Sequence, residues 1–419
     1  MSTLSAPTAP GNPGTSPRTW SPAIWSVLFC SFLARGLGFV YPFLGYHATD
    51  LQFSTADVLR VVTAFGVGWL AGSIVCGRLA DRIGRRTTLV GAMTVSALTL
   101  PVLAQVSSLP AVLICAVIAG AVYDAPRPIT TALIADLIPT KSAQTAVESA
   151  RTFAITVSAE GTAFVGGMLA GALGGVAPLI WVQAGASVLC AVIVLIFLDA
   201  DRPARSKPTA GLGYRAAVRD VRLDLLVAAS LCALTGAAGM FTSLPLLMSA
   251  DGLDETAYGL THLAAGAAVL VCTPLMTPWL SRRADRGPML APLAAGSLVL
   301  GAGMTAAGAS STTLGYCAAA ALIVPGEIAF FAAVGNILGH IAPADARGTY
   351  AGVWGITLAG AVIIAPLLTG WSMDRGGDAY AALTAGAMGL LGAALTLPLA
   401  ALMRRSPDGP HTPLPQPSA

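Results

Sequence analysis

Seven ionisable residues sit where the surrounding sequence is almost wholly apolar: Arg35, Asp124, Arg127, Glu148, Arg151, Glu160 and Glu327. A charge in hydrocarbon is costly, so residues of this kind pair with one another, carry protons or line a solute path. Asp124 and Arg127 stand three apart, which puts both on one helical face. They read as an ion pair, either structural or engaged in proton or substrate coupling. Glu148 and Arg151 repeat that spacing and read as a structural or gating pair. Glu160 and Glu327 have no basic neighbour in sequence. Burial disfavours the charged form of a carboxyl group, so such an acid is suited to loading and releasing a proton. Asp124, Glu160 and Glu327 are therefore the candidate proton carriers, with a plain hydrogen bond to a nearby hydroxyl as the alternative. Arg35 is expected to pair with one of them, and Arg127 and Arg151 complete the set of intramembrane cations.

The elements that hold these residues are long apolar runs. The chain has 419 residues, 55% hydrophobic and only 10% charged, too little charge to coat a soluble globule of that length. Runs of about 20 residues, the length a helix needs to cross a bilayer, centre near 33, 68, 97, 123, 156 and 188, and again near 236, 268, 298, 326, 359 and 390. The expectation is an all-α membrane protein with twelve transmembrane helices in two pseudo-symmetric six-helix bundles. Residues 21–198 form the first bundle and 221–403 the second, joined by an Arg- and Pro-rich cytoplasmic linker at 199–220. Residues 1–20 and 404–419, rich in Pro, Ser and Thr, read as disordered cytoplasmic tails.

Lys and Arg set the orientation. One side receives Arg18, the 78–86 cluster, Lys141, the linker, Arg282, Arg283, Arg286, Arg347, Arg404 and Arg405; the other receives Arg375 and, near its edge, Arg60. This predicts both termini in the cytoplasm and a multi-pass protein of the cell inner (plasma) membrane. The seven cysteines lie inside apolar runs without a CxxC pair and read as packing residues. No metal-ligand spacing and no basic, aromatic-interleaved tract is present, so neither a metal, another cofactor nor nucleic acid is expected. His47 and His262 fall near outer ends of spans and His340 near an inner end; all three read as interface anchors.

The halves echo one another. ALIADLIPTKSAQTA (132–146) and NILGHIAPADARGTY (336–350) each place a Pro turn after the fourth span of a half, before a fifth span rich in small residues. Repeated halves place a binding site between them. Aromatic residues able to line it include Tyr41, Tyr123, Phe241, Phe330 and Trp354, with Phe39, Phe43, Trp69 and Phe331 as further members. A mostly apolar cavity suits apolar or amphipathic small molecules.

Between spans 2 and 3 stands GRLADRIGRR (77–86), half of it charged. Arg82, Arg85 and Arg86 suit the C-terminal dipole end of span 2, while Asp81 does not and needs a positive partner elsewhere. We expect it to face the start of span 11, near Arg347 and Gly348, with Gly77 allowing close approach of backbones and Gly84 a tight turn. The stretch resembles the signature G-x-L-A-D-R-x-G-R-[KR] of the major facilitator superfamily, at the position where that family carries it. The resemblance implies that Gly77, Asp81, Arg82, Gly84, Arg85 and Arg86 latch an outward-facing state and release during the cycle. PWLSRRADRGPML, between spans 8 and 9, is a degenerate copy that keeps Asp285, Arg286 and Gly287.

YDAPRPITTALIADLIP and the Gly-Glu of LIVPGEIAFF are similar to spans 4 and 10 of twelve-helix drug/proton antiporters. Two departures stand against that branch: SAEGTAFVGG has Thr162 and Ala163 where Gly-Pro is usual, and Val117 occupies the place of a basic residue early in span 4. The resemblance implies proton-coupled export of small apolar or amphipathic molecules by alternating access, with protons as coupling ion and the protein working as a monomer. The alternatives are a facilitator or proton symporter importing a metabolite, and a membrane sensor on the same fold. HExxH, GxSxG and paired-carboxylate motifs are missing from the spans, so no enzyme is expected.

Overall fold

The computed structural model describes residues 21–198 (apart from 125, 126, 128, 131, 132 and 135–140), residue 217, and residues 219–405 (apart from 344 and 345). Both expected tails and nearly all of the linker lie outside them; the described chain stays helical to Arg405. Helix α1 (Pro22–Gly36) starts at Ser21, whose hydroxyl accepts from the Ile24 N–H, with proline at the first turn where no N–H is needed. A break at 37–39 separates it from α2 (Val40–Asp50). There follow α3 (Thr55–Ile83), α4 (Arg85–Leu103), α5 (Leu109–Tyr123), α6 (Lys141–Leu173) and α7 (Ala177–Phe197). The second half holds α8 (Val221–Thr242), α9 (Leu244–Ala250), α10 (Glu255–Ala284), α11 (Leu290–Gly308), α12 (Thr313–Ile341) and α13 (Arg347–Arg405). Non-helical backbone at Gly376 and Gly377 divides α13 into two helices. The described residues contain no strand. Nine helical segments among them are long and apolar enough to cross a membrane, α1 with α2 counting as one and α13 as one.

The repeat seen in the sequence is written into the backbone. Both α1–α2 and α8–α9 are broken helices, and both end in the same turn. The N–H groups of Leu51, Gln52 and Phe53 bond to the carbonyls of His47, Thr49 and Ala48; those of Asp251, Gly252 and Leu253 bond to Leu247, Ser249 and Met248. Gln52 and Gly252 hold the matching left-handed position, with φ of 60° and 73°. The next helix is then capped by Ser54 in one half and Asp254 in the other.

Helix direction places Ser21, Gly84, Asp220 and Arg405 at one end of the bundle, together with Arg82, Arg85, Arg86, Arg282, Arg283 and Arg286. We term this the basic end. The opposite, acidic end carries Asp50, Asp57, Asp251, Asp254, Glu255, Asp374 and Asp378, with Arg60 and Arg375. The halves meet from the middle of the bundle to the acidic end. There α6 crosses α10 with backbones nearly touching: a Cβ added to Gly167 would stand 2.3 Å from the Glu255 carbonyl oxygen and 2.8 Å from the Gly259 Cα. Leu59 covers Gly370, Ile363 covers Gly66, and Phe43 and Tyr46 pack on Tyr258. Toward the basic end the approach ends, since a Cβ at Gly77, Gly335, Gly339 or Gly352 would meet nothing within 4 Å. Among the described residues the close crossings of the halves are gathered in the middle of the bundle and at the acidic end.

Candidate functional site

Helix α5 ends at Tyr123, with Asp124 as its cap. The break turns that carboxylate inward toward α1. Oδ1 of Asp124 accepts from Arg35 Nη2 at 2.7 Å, and Oδ2 lies 3.1 Å from Arg127 Nε. Nη1 of Arg35 donates to the Tyr123 hydroxyl at 2.6 Å, and the guanidinium lies 4.5 Å from that ring's centroid. Asp124 is 6% exposed, so two cations share one buried anion. Arg151 is buried beside them, and its charge and that of Arg35 both act on Arg127. The pairing expected for Arg35 is found, as is the i, i+3 pair of Asp124 and Arg127. The side chain of Glu148 lies outside the described residues.

Thr162 explains one departure from the antiporter pattern. Its hydroxyl is 2.7 Å from the Arg35 carbonyl, at the broken end of α1, and 2.6 Å from its own Ser158 carbonyl. A proline beside it would bend α6 where this contact needs it straight. The Thr-Ala variant therefore fastens α6 to the charged cluster.

Aromatic rings form the wall next to the cluster. Tyr41 stacks on Phe65 and Phe241 with centroids 5.8 and 5.2 Å away, and also meets Trp69 and Tyr123. Phe241 belongs to the second half, so this stack bridges the two. Tyr41, Tyr123, Phe241 and Trp354 are all half-buried. Trp354 donates from Nε1 to the Ser230 hydroxyl at 2.9 Å. Phe330 is a correction. It is fully buried against Gly296 of α11, so it holds α12 to its neighbour. One residue on, Phe331 is exposed and meets Trp354 edge-on at 6.2 Å.

Glu327, on α12, is half-buried and makes no hydrogen bond or ion pair with any described residue. Tyr41 and Glu160 are its electrostatic neighbours across the interface. Glu160 corrects the expectation that it lacks a basic partner: its Oε2 is 2.7 Å from Nδ1 of His262 on α10. His262 in turn is 0% exposed, an interior group and not an interface anchor. The two residues are 102 positions apart, and no local spacing signals the pair. His47 is likewise buried, with Nε2 3.2 Å from the Leu103 carbonyl, whereas His340 is exposed and bonds the Asn336 carbonyl.

At the basic end, Gly84 takes φ 101° between α3 and α4, the left-handed turn expected of it. Arg82 is exposed at the end of α3, and Arg85 is half-buried. Arg86 Nη2 donates to the Leu195 carbonyl at 2.6 Å, reaching the last turn of α7 where orphan carbonyls favour a cation. This contact stays within the first half. A Cβ added to Gly77 would meet nothing within 4 Å among the described residues, so the close backbone approach expected there is not made in this state. The side chains of Asp81 and Arg347 lie outside the described residues.

The arrangement sets aromatic faces and the Glu327 carboxyl, which has no partner among the described residues, on the cleft between the halves. A model of the Major Facilitator Superfamily matches residues 24–366. Three solved structures are similar in fold. The peptide transporter POT in complex with sulfate has a TM-score of 0.73 at 15% identity, covering 94% of this chain and 96% of that one. A POT family transporter in complex with a thioalcohol-conjugated peptide has 0.72 at 13%, covering 92% and 96%. The nucleoside transporter NupG has 0.65 at 16%, covering 91% and 99%. A comparison with curated proteins finds no match.

Proposed function

The chain belongs to the Major Facilitator Superfamily and is a multi-pass transporter, not an enzyme, and from that premise we propose that it is a proton-coupled exporter of small apolar or amphipathic organic molecules. The observation that carries this reading is the bare carboxyl of Glu327, placed among half-buried aromatic rings while Asp124 is saturated by two arginines. A group that is neutral in one step and charged in another must be one whose partners do not fix its state. Glu327 meets that condition, and Asp124 does not.

In this proposal the chain crosses the membrane twelve times. The nine apolar segments are supplemented by α5 with the chain that follows it, by α6, whose hydropathy is diluted by Glu160 and glycines, and by the second helix of α13. The basic end faces the cytoplasm, as the distribution of arginine favours, in the cell inner membrane. With the close crossings gathered at the acidic end, we read the structure as the inward-facing state, in which the latch formed by Gly77, Asp81, Arg82, Gly84, Arg85 and Arg86 is released. Asp81→Asn would impair transport by weakening the opposite, outward-facing state, and wild-type kinetics in that variant would count against the latch.

The test of the reading is transport in proteoliposomes, with the purified monomer and lipophilic amines and neutral aromatic compounds as probes. An acidic exterior should drive probes out through the acidic end, and collapsing the gradient with an uncoupler should stop it. Export that survives uncoupling refutes proton coupling. Net movement toward the basic end under the same gradient identifies an importer instead.

A further inference from the structure

The acidic end of the molecule contains a contact between the halves that is made by two titratable side chains, Glu160 and His262. Both sides of the imidazole are sealed: Phe241 lies 4.9 Å away and Tyr258 meets it edge-on at 4.6 Å. Its Nε2 has no hydrogen-bond partner among the described residues. The backbones around it are as close as helices come, with Gly259 against Gly167 and Gly266 over the Glu160 Cβ. The pair therefore exists only while α6 and α10 touch. Opening the acidic end separates them and hands both to the water on that side.

We propose that Glu160 and His262 form a proton-counting lock on the acidic-end gate, which closes when the pair holds one proton between them. With one proton the pair is neutral, whichever atom carries it. With none it has one negative charge and with two it has one positive charge, buried in either case. Net charge in such a place costs several kcal/mol, more than a hydrogen bond returns. Free in water, a carboxyl group and an imidazole together hold no proton above about pH 6.5, so closing from an open, hydrated state takes one from the water at the acidic end. This gives the proposed proton coupling a place where the proton is loaded, and it rests on that reading. His262 acts here as a gating residue, with no contact to substrate required.

Other titratable groups face the pair from every side. Tyr258 shares α10 with His262 and lies within the field of Glu160, and Tyr41 and Tyr46 from α2 and Tyr123 from α5 act on Tyr258 in turn. Glu327 comes from α12 and lies within the field of Glu160. The lock is distinguished from these groups by substitution.

Spin labels at Ser107→Cys and Ser311→Cys report the gate, since both positions are exposed in acidic-end turns of opposite halves. The seven native cysteines are buried or half-buried in helices, so a hydrophilic label marks the two new ones. Distances are measured on the full-length protein in lipid nanodiscs between pH 5 and 9. The closed-to-open ratio should fall about tenfold per pH unit above about 6.5 and stay level below it. Glu160→Gln keeps the hydrogen bond to His262 but closes without a proton, so the fall above 6.5 should vanish. His262→Gln should keep the fall and extend it to lower pH, because the remaining glutamate must itself be protonated to be buried. A Glu160→Gln protein that retains the wild-type slope overturns the lock, as does a wild-type gate with no slope. Loss of proton-driven export is a separate failure: transport in proteoliposomes would ignore the gradient while the gate kept its slope.

Discussion

The two halves share one backbone plan and furnish it differently. In the first, Arg35, Asp124, Arg127 and Arg151 fill the interior with paired charge. In the second, Trp354 with Ser230, Thr369 with Ser243 and Ser372 with Thr384 are contacts between neutral groups, and the charged pair of Asp220 with Arg222 stands at its basic end. The acid facing the cleft there, Glu327, has no partner among the described residues. Two bundles that pack by the same rules can thus divide the work. One holds Asp124 fixed between two arginines, and the other leaves the Glu327 carboxyl without a partner among the described residues.

The hardest way to break that contrast is to remove the anion the first half depends on. Asp124→Ala leaves Arg35 and Arg127 buried without their shared partner, a loss of about 3–5 kcal/mol for an interior pair. The expected outcome is a sharply lowered unfolding temperature in detergent and little folded protein. A stable, active Asp124→Ala transporter would show that the cluster is not structural. Glu327→Gln should do the reverse. Its fold should hold, because no pairing is lost, while transport driven by a proton gradient stops and substrate binding persists. Equal loss of binding and of driven transport would make Glu327 a packing residue and erase the difference between the halves.

How much of this could be read from sequence differs by kind of contact. Asp124 with Arg127 is a local pair, given by a spacing of three, and Gly84 sits in a motif whose turn requires it. Arg35 with Asp124 was legible from charge type, since a buried cation must find an acid. Glu160 with His262 was not, because helix–helix pairing across the halves leaves no period in either segment. Phe330 and Phe331 show a further limit. One residue turns a helix by about 100°, and α12 is so evenly apolar that neither ring is marked as the inward one.

A smaller effect probes the seam where the halves meet. Gly167→Ala places a methyl group 2.3 Å from the Glu255 carbonyl, which no helix can absorb without moving. The acidic-end gate should therefore loosen, raising the reactivity of a Thr256→Cys thiol, which faces Gly171 across the seam, toward a hydrophilic reagent. Unfolding temperature should change little, because each half keeps its own core. If Gly167→Ala leaves accessibility unchanged, the close crossing of α6 and α10 is not what holds the gate.

The smallest expected effect lies where matched positions of the two halves carry different caps. Ser21 caps α1 with a hydroxyl, whereas Asp220 caps α8 through the Arg222 N–H at 3.0 Å and also accepts from that guanidinium and from the Tyr350 hydroxyl. Burial works against the charged Asp220, but the hydrogen bonds from Arg222 and Tyr350 outweigh it and hold the carboxyl below its usual range. A group depressed on folding binds fewer protons in the native state than in the unfolded one. Its stabilisation is present above about pH 4, the ordinary aspartate value, and is lost as pH falls through that range toward the depressed one. Asp220→Asn should lower the unfolding temperature modestly at pH 7 and make no difference at pH 3. Ser21→Ala should lower it equally at both, since a hydroxyl cap does not titrate there. The pH dependence of the cap then belongs to the second half alone, and equal behaviour of the two variants would remove it.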